Sequence, residues 1–170
     1  MNCEVKEVGI DQLPEYAEVI RRGFATVAED FGLTRENCPK HTSFISDTRL
    51  ASFYRDGYYP FGCFADGGRM VGFIGLTDEG GGVFEMHNVS ILPEYRHHGC
   101  GKAMLDFCKR KVFSLGGSKI ILDMIEENRP LKAWYAANGF VHIRTEKFEG
   151  MPFTVGYMEW SVDSVDNERI

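Results

Sequence analysis

Apolar positions along the chain follow two rhythms, one extended and one helical. The segment from Glu4 to Val8 predicts a first strand. After it, Leu13, Tyr16, Ala17, Ile20, Phe24 and Val27 recur at helical spacing behind Asp11, which reads as the N-cap, and Gly32 reads as the stop. Residues 33–46 mix Thr, Asn, Pro and His without a period and predict a loop or one short turn. A second helix is expected over 47–55, where Leu50, Phe53 and Tyr54 share a face, closed by Gly57.

Three extended segments follow, from Tyr59 to Ala65, Arg69 to Thr77 and Val83 to Leu92, separated by Asp66-Gly67-Gly68 and by a glycine-rich turn over 78–82. This is the pattern of a meander. Gly99 to Leu115 predicts a helix with Met104, Leu105, Cys108, Val112 and Leu115 inward and Gly116-Gly117 as its end. Lys119 to Ile125 is a short, nearly continuous apolar run, as expected of a strand covered on both faces. Asn128 can cap a last helix through Asn138, with Pro130 tolerated in its first turn, and two strands, about 140–147 and 153–162, complete the chain. The order β-α-α-β-β-β-α-β-α-β-β predicts an α/β fold with a mixed sheet. A single domain is expected over 1–162, followed by a polar and mobile tail over 163–170.

Composition narrows the class. A hydrophobic share of 44% with 26% charged residues is ordinary for a soluble globular protein, and no apolar run is long enough to cross a bilayer. The opening Met-Asn-Cys-Glu-Val-Lys has no basic and apolar leader, so a cytoplasmic location is expected. The five cysteines, Cys3, Cys38, Cys63, Cys100 and Cys108, are odd in number and form no C-x-x-C pair, which predicts reduced thiols and no zinc site. A net charge of −6 disfavours nucleic acid as a partner and suits a cationic amine.

The stretch Val89 to Ala103 reads as strand, tight glycine turn and helix start. Gly99 and Gly101 remove Cβ atoms from the approach to the helix N-terminus, whose free N–H groups and dipole favour an anion; the inferred ligand is a pyrophosphate. A G-x-G alone marks many ordinary turns. Here it stands in Arg96-x-x-Gly99-x-Gly101, preceded by Ile91-Leu92-Pro93, and downstream lie Asn128, Tyr135 and Asn138-Gly139-Phe140. Taken together these resemble the two ordered signatures of the GNAT superfamily of N-acetyltransferases, over roughly residues 60–162, and the resemblance implies that family's fold, a central, mostly antiparallel mixed sheet flanked by helices. A dinucleotide-binding oxidoreductase is disfavoured, because the third glycine and the later acidic residue are missing.

The resemblance implies acetyl-CoA as cosubstrate, no metal, and a small-molecule or peptide amine as acceptor; a homodimer stays open. It implies pantetheine contacts along Val89, Ser90 and Ile91. Around the pyrophosphate it implies Arg96 and the amides of His97, His98, Gly99, Cys100, Gly101 and Lys102. In such a contact His97 and His98 act through backbone, and Cys100 reads as a small filler, since direct transfer needs no nucleophilic thiol. Tyr135 resembles the tyrosine that protonates the departing thiolate, against the reading of a core residue packed with Trp134 and Phe140. Asn128 reads as a pantetheine contact, a helix cap, or both. Glu85 resembles the family's glutamate base, and His87, two residues on and facing the same way, is a second candidate, against a strand face that simply meets solvent. Phe24, Phe31, His41, Phe44 and Tyr54 fall on the acceptor side by position. The other class of function is a non-catalytic acyl-CoA sensor or docking module.

Overall fold

The computed structural model describes residues 2–65 and 67–163; the expected tail lies outside the described residues from 164 on. The elements run β1 (Glu4–Glu7), α1 (Leu13–Asp30), α2 (Asp47–Arg55), β2 (Tyr59–Phe64), β3 (Met70–Gly80), β4 (Val83–Ile91), α3 (Cys100–Ser114), β5 (Lys119–Ile125), α4 (Arg129–Ala137), β6 (Val141–Glu146) and β7 (Val155–Ser161). Two expectations at helix ends are corrected. Asp11 does not cap α1 but lies in a 3-10 turn over Ile10–Gln12, where the Gln12 side chain accepts from the Gly9 N–H. Leu115 is not inward: it falls just past the last turn of α3 and is exposed.

The strands form one mixed sheet in the order β1-β2-β3-β4-β5-β7-β6. All neighbours are antiparallel except β4 and β5. The last hairpin inserts its second strand, β7, beside β5 and leaves β6 at the edge. Both faces are covered, which is why the central strands read as apolar runs. On one face Phe61, Ile74, Leu76, Phe84 and Met86 pack with Met104, Leu105, Cys108 and Val112 of α3 and with Tyr135 of α4. On the other, Phe64 and Phe73 pack with Leu13, Tyr16, Ala17 and Ile20 of α1 and Leu50 of α2. Among the described residues no helix is long and apolar enough to cross a membrane.

Cys3 and Cys100 form a disulfide, with Cα atoms 5.5 Å apart, which corrects the expectation of five reduced thiols. The pair is 97 residues apart in sequence and meets because β1, at the sheet edge, lies against α3. Cys38, Cys63 and Cys108 are free and buried.

Candidate active site

Strands β4 and β5 pair only from Val83–Lys119 to Glu85–Ile121. Beyond that point the ladder ends and the two strands part, so the backbone of Val89, Ser90 and Ile91 faces a wedge rather than a neighbouring strand. The register of β4 on β3 also shifts here: Phe73 opposes Ser90 while Gly75 opposes His87, so Asn88 and Val89 together oppose one residue of β3. This is a bulge, with Asn88 at φ 55°. Asn88 Nδ2 donates to the Tyr58 hydroxyl at 3.0 Å, which pins the bulge from the α1 side. The Ser90 side chain is buried against Gly23 of α1, and its Oγ has no hydrogen-bond partner among the described residues.

Past β4 the chain makes a short turn over Pro93–Tyr95 and enters the glycine loop. His97 (φ 63°) and Gly99 (φ 88°) both take left-handed backbone, the kind of conformation from which anion-binding concavities are built, directly ahead of the first turn of α3, where helix amides lack intrahelical partners. His97 and His98 are exposed, as are Gly99 and the Lys102 side chain, which pairs with Asp106 at 2.6 Å. Cys100 is buried rather than exposed in the loop, because its sulfur is bonded to Cys3.

The Arg96 side chain is turned away from the loop. Its guanidinium donates to the Gly23 carbonyl at 2.8 Å, to Thr26 Oγ1 at 3.0 Å and to the Ile91 carbonyl at 3.3 Å, tying the strand end to α1. Asn128 takes the cap role: its Oδ1 accepts from the Leu131 N–H at 3.2 Å. Tyr135 is buried between Trp134 and Phe140, with ring centroids at 4.9 and 5.6 Å. Burial, followed by the nearby Asp123 carboxylate, pushes its phenol well above the usual range.

Glu85 and His87 lie on the face of β4 opposite Phe84 and Met86. Burial first, then Asp123 and Glu79, raise the Glu85 carboxyl to about 7. Burial lowers the His87 imidazole, while Asp123 and Glu79 act in the opposite sense. Thr77 Oγ1 lies 2.8 Å from His87 Nε2 and 2.6 Å from Glu79 Oε1. Asp123 acts electrostatically on Glu85, His87 and Tyr135 alike, across both faces of the sheet beside the parting of β4 and β5. Sequence reasoning missed Asp123, Thr77, Glu79 and the Tyr58–Asn88 pair. Only the Thr77-x-Glu79 alternation next to the Glu85-x-His87 alternation carried a signal.

Among the described residues two groups of side chains have metal-ligand chemistry at close range, Cys3-Cys63-Cys100 and Glu79-Glu85-His87. In the first, two sulfurs are joined to each other; in the second, His87 Nε2 already engages Thr77. Of the aromatic residues expected on the acceptor side, Phe24, His41 and Phe44 meet edge to face, Phe31 packs with Ala28 and Leu33, and Tyr54 is exposed.

The model of the acetyltransferase (GNAT) family matches residues 24–140. No curated protein matches the chain in sequence. Among solved structures, the ribosomal-protein-S18-alanine N-acetyltransferase from Escherichia coli is similar, with a TM-score of 0.75 and 16% identity over 95% of this chain and 94% of that one. PaiA N-acetyltransferase from Thermoplasma acidophilum, in complex with coenzyme A, gives 0.72 and 23% identity over 95% and 99%. Spermidine N-acetyltransferase from Vibrio cholerae, in complex with CoA and spermine, gives 0.73 and 17% identity over 95% and 96%. At these identities the likeness is one of fold.

Proposed function

The chain belongs to the GNAT acetyltransferase family, and from that premise we propose that it transfers the acetyl group of acetyl-CoA to a primary amine by direct attack. The observation that carries this reading is the parting of β4 and β5 directly ahead of a left-handed loop and a helix N-terminus. An extended pantetheine can add to the open edge at Val89, Ser90 and Ile91, and a pyrophosphate can accept from the amides of His97 through Lys102. Two structural neighbours were solved with coenzyme A, and two are named for amine acceptors, a protein alanine and spermidine, which supports the same class here.

Acetyl-CoA supplies the activated thioester; the chain supplies proton management and charge. Glu79, Glu85 and Asp123 make the α1 side of the gap acidic and favour a cationic amine, in keeping with the net charge of −6. Either Glu85 or His87 takes the ammonium proton. Buried Tyr135 arrives protonated. Such a phenol is a weaker acid than a thiol, so it supports the leaving thiolate chiefly by donating a hydrogen bond to the developing charge.

The test is thiol release from acetyl-CoA across a panel of amines, with a no-amine control. Amine-dependent release supports the reading. Tight coenzyme A binding with no release from any amine would leave a binding module instead.

A further inference from the structure

We propose that Thr77 and Glu79 are positioning residues that hold the His87 imidazole in a single tautomer, protonated on Nε2 and bare on Nδ1, and that Nδ1 is the atom that takes the acceptor's proton. The inference rests on the acetyl-transfer reading above and chooses between the two candidate bases within it.

A threonine hydroxyl has one proton. Thr77 Oγ1 is 2.6 Å from Glu79 Oε1, and a carboxylate only accepts, so that proton is committed to Glu79. Toward His87, at 2.8 Å, Thr77 can then act only as acceptor, and the ring must donate from Nε2. A neutral ring that donates from Nε2 keeps a lone pair on Nδ1. Glu85 Oε2 is 3.8 Å from the same Nε2, beyond hydrogen-bond range, and does not compete. The titratable and charged groups facing the ring are Glu85 on its own strand, Glu79 on β3, Asp123 on β5 and Tyr58 ahead of β2, whose ring centroid is 5.9 Å away. Burial favours the neutral ring, against the pull of Asp123 and Glu79.

In the proton transfer an N–H bond of the ammonium breaks and its electron pair stays on nitrogen as the attacking lone pair. An Nδ1–H bond forms, and the positive charge moves from the amine to the ring. The Nε2–H continues to donate to Thr77 throughout, so the imidazolium forms without a ring flip, and Glu79, Glu85 and Asp123 face the new charge. The device is legible as two alternations on paired strands: Thr77 and Glu79 on β3, and Glu85 and His87 on β4, with Thr77 opposite Glu85.

Long-range ¹H–¹⁵N correlation on the full-length, ligand-free, histidine-labelled protein at pH 8 reads the tautomer, with His87→Gln identifying the signals. Wild type and Thr77→Ser should show Nε2–H and bare Nδ1. Thr77→Val, which removes the acceptor, should show both tautomers. Glu79→Ala, which frees the Thr77 proton to turn toward the ring, should favour Nδ1–H and serves where Thr77→Val fails to fold. With an accepted amine, Thr77→Val should lower kcat/KM about tenfold, less than loss of a whole proton-transfer group, at unchanged coenzyme A affinity. Thr77→Ser should restore it. A wild-type ring with Nδ1–H overturns the proposal whatever the activity, and so does a Thr77→Val loss that tracks thermal stability and is not rescued by serine. A wild type with the expected tautomer that releases no thiol with any amine overturns the acetyl-transfer reading, and with it the base role.

Discussion

A Cβ on Gly101 would stand 2.8 Å from Cζ2 of Trp134 and 3.1 Å from Cδ1 of Ile91. The second loop glycine is therefore required by the packing of α3 against α4 and β4, whether or not a ligand is bound. Gly99 differs: a Cβ there meets nothing within 4 Å, and its requirement is the left-handed backbone at φ 88°. Gly101→Val should force Trp134 aside and cost about 1–3 kcal/mol as an overpacked site, along with coenzyme A affinity. Gly99→Ala should cost about 1 kcal/mol from strain alone. Denaturant melts and calorimetric titration with coenzyme A separate the two. Wild-type stability in Gly101→Val would show that the Trp134 contact is slack.

Arg96 makes three hydrogen bonds, two to α1 at Gly23 and Thr26 and one to the end of β4 at Ile91. Arg96→Ala removes all three and leaves their acceptors to find water, which should lower stability by about 1–3 kcal/mol. Arg96→Lys should recover little, because a single ammonium cannot match the fork geometry. Coenzyme A affinity should fall only as far as the loop loosens. A large loss of affinity with unchanged stability would instead place the guanidinium on the ligand.

The strand, glycine turn and helix around Val89 to Ala103 could be read directly, because turn chemistry and hydrophobic period are local signals. The fold class followed from them in the same way. What the sequence did not disclose depends on long-range placement. The Cys3–Cys100 bond needs β1 to reach α3; the role of Arg96 needs α1 to lie under β4. The bulge at Asn88 is set by Tyr58, thirty residues away. Asp123 stands inside the apolar run of β5, and its influence on Glu85 arises only because β5 pairs with β4 up to Glu85.

Glu85 makes stability depend on pH. Its carboxyl titrates at about 7 in the folded protein against an ordinary value of 4.5, so the fold favours the protonated form. Below pH 4.5 both states hold the proton and there is no penalty. As pH rises toward 7 the unfolded chain gives up its proton first, stability falls, and the loss levels off above 7. Glu85→Gln, which cannot ionise, should melt close to wild type at pH 4 and above it at pH 8. A constant difference between the two pH values would mean that Glu85 titrates normally.

Tyr135→Phe separates the roles of ring and hydroxyl. The ring packs between Trp134 and Phe140, and phenylalanine preserves both contacts, so the melting temperature and coenzyme A affinity should stay near wild type. The hydroxyl has no hydrogen-bond partner among the described residues, so its loss leaves no buried group unsatisfied. Any effect must then arise where charge develops on the leaving sulfur. Because a thiolate leaves readily, kcat should drop moderately, near the lower end of the roughly 10²- to 10⁴-fold range for general acid–base groups. The drop should be smaller for an acyl donor with a better leaving thiol, since less charge then needs support. Wild-type turnover in Tyr135→Phe would leave the residue a core tyrosine, and a lowered kcat accompanied by an equal loss of stability would do the same.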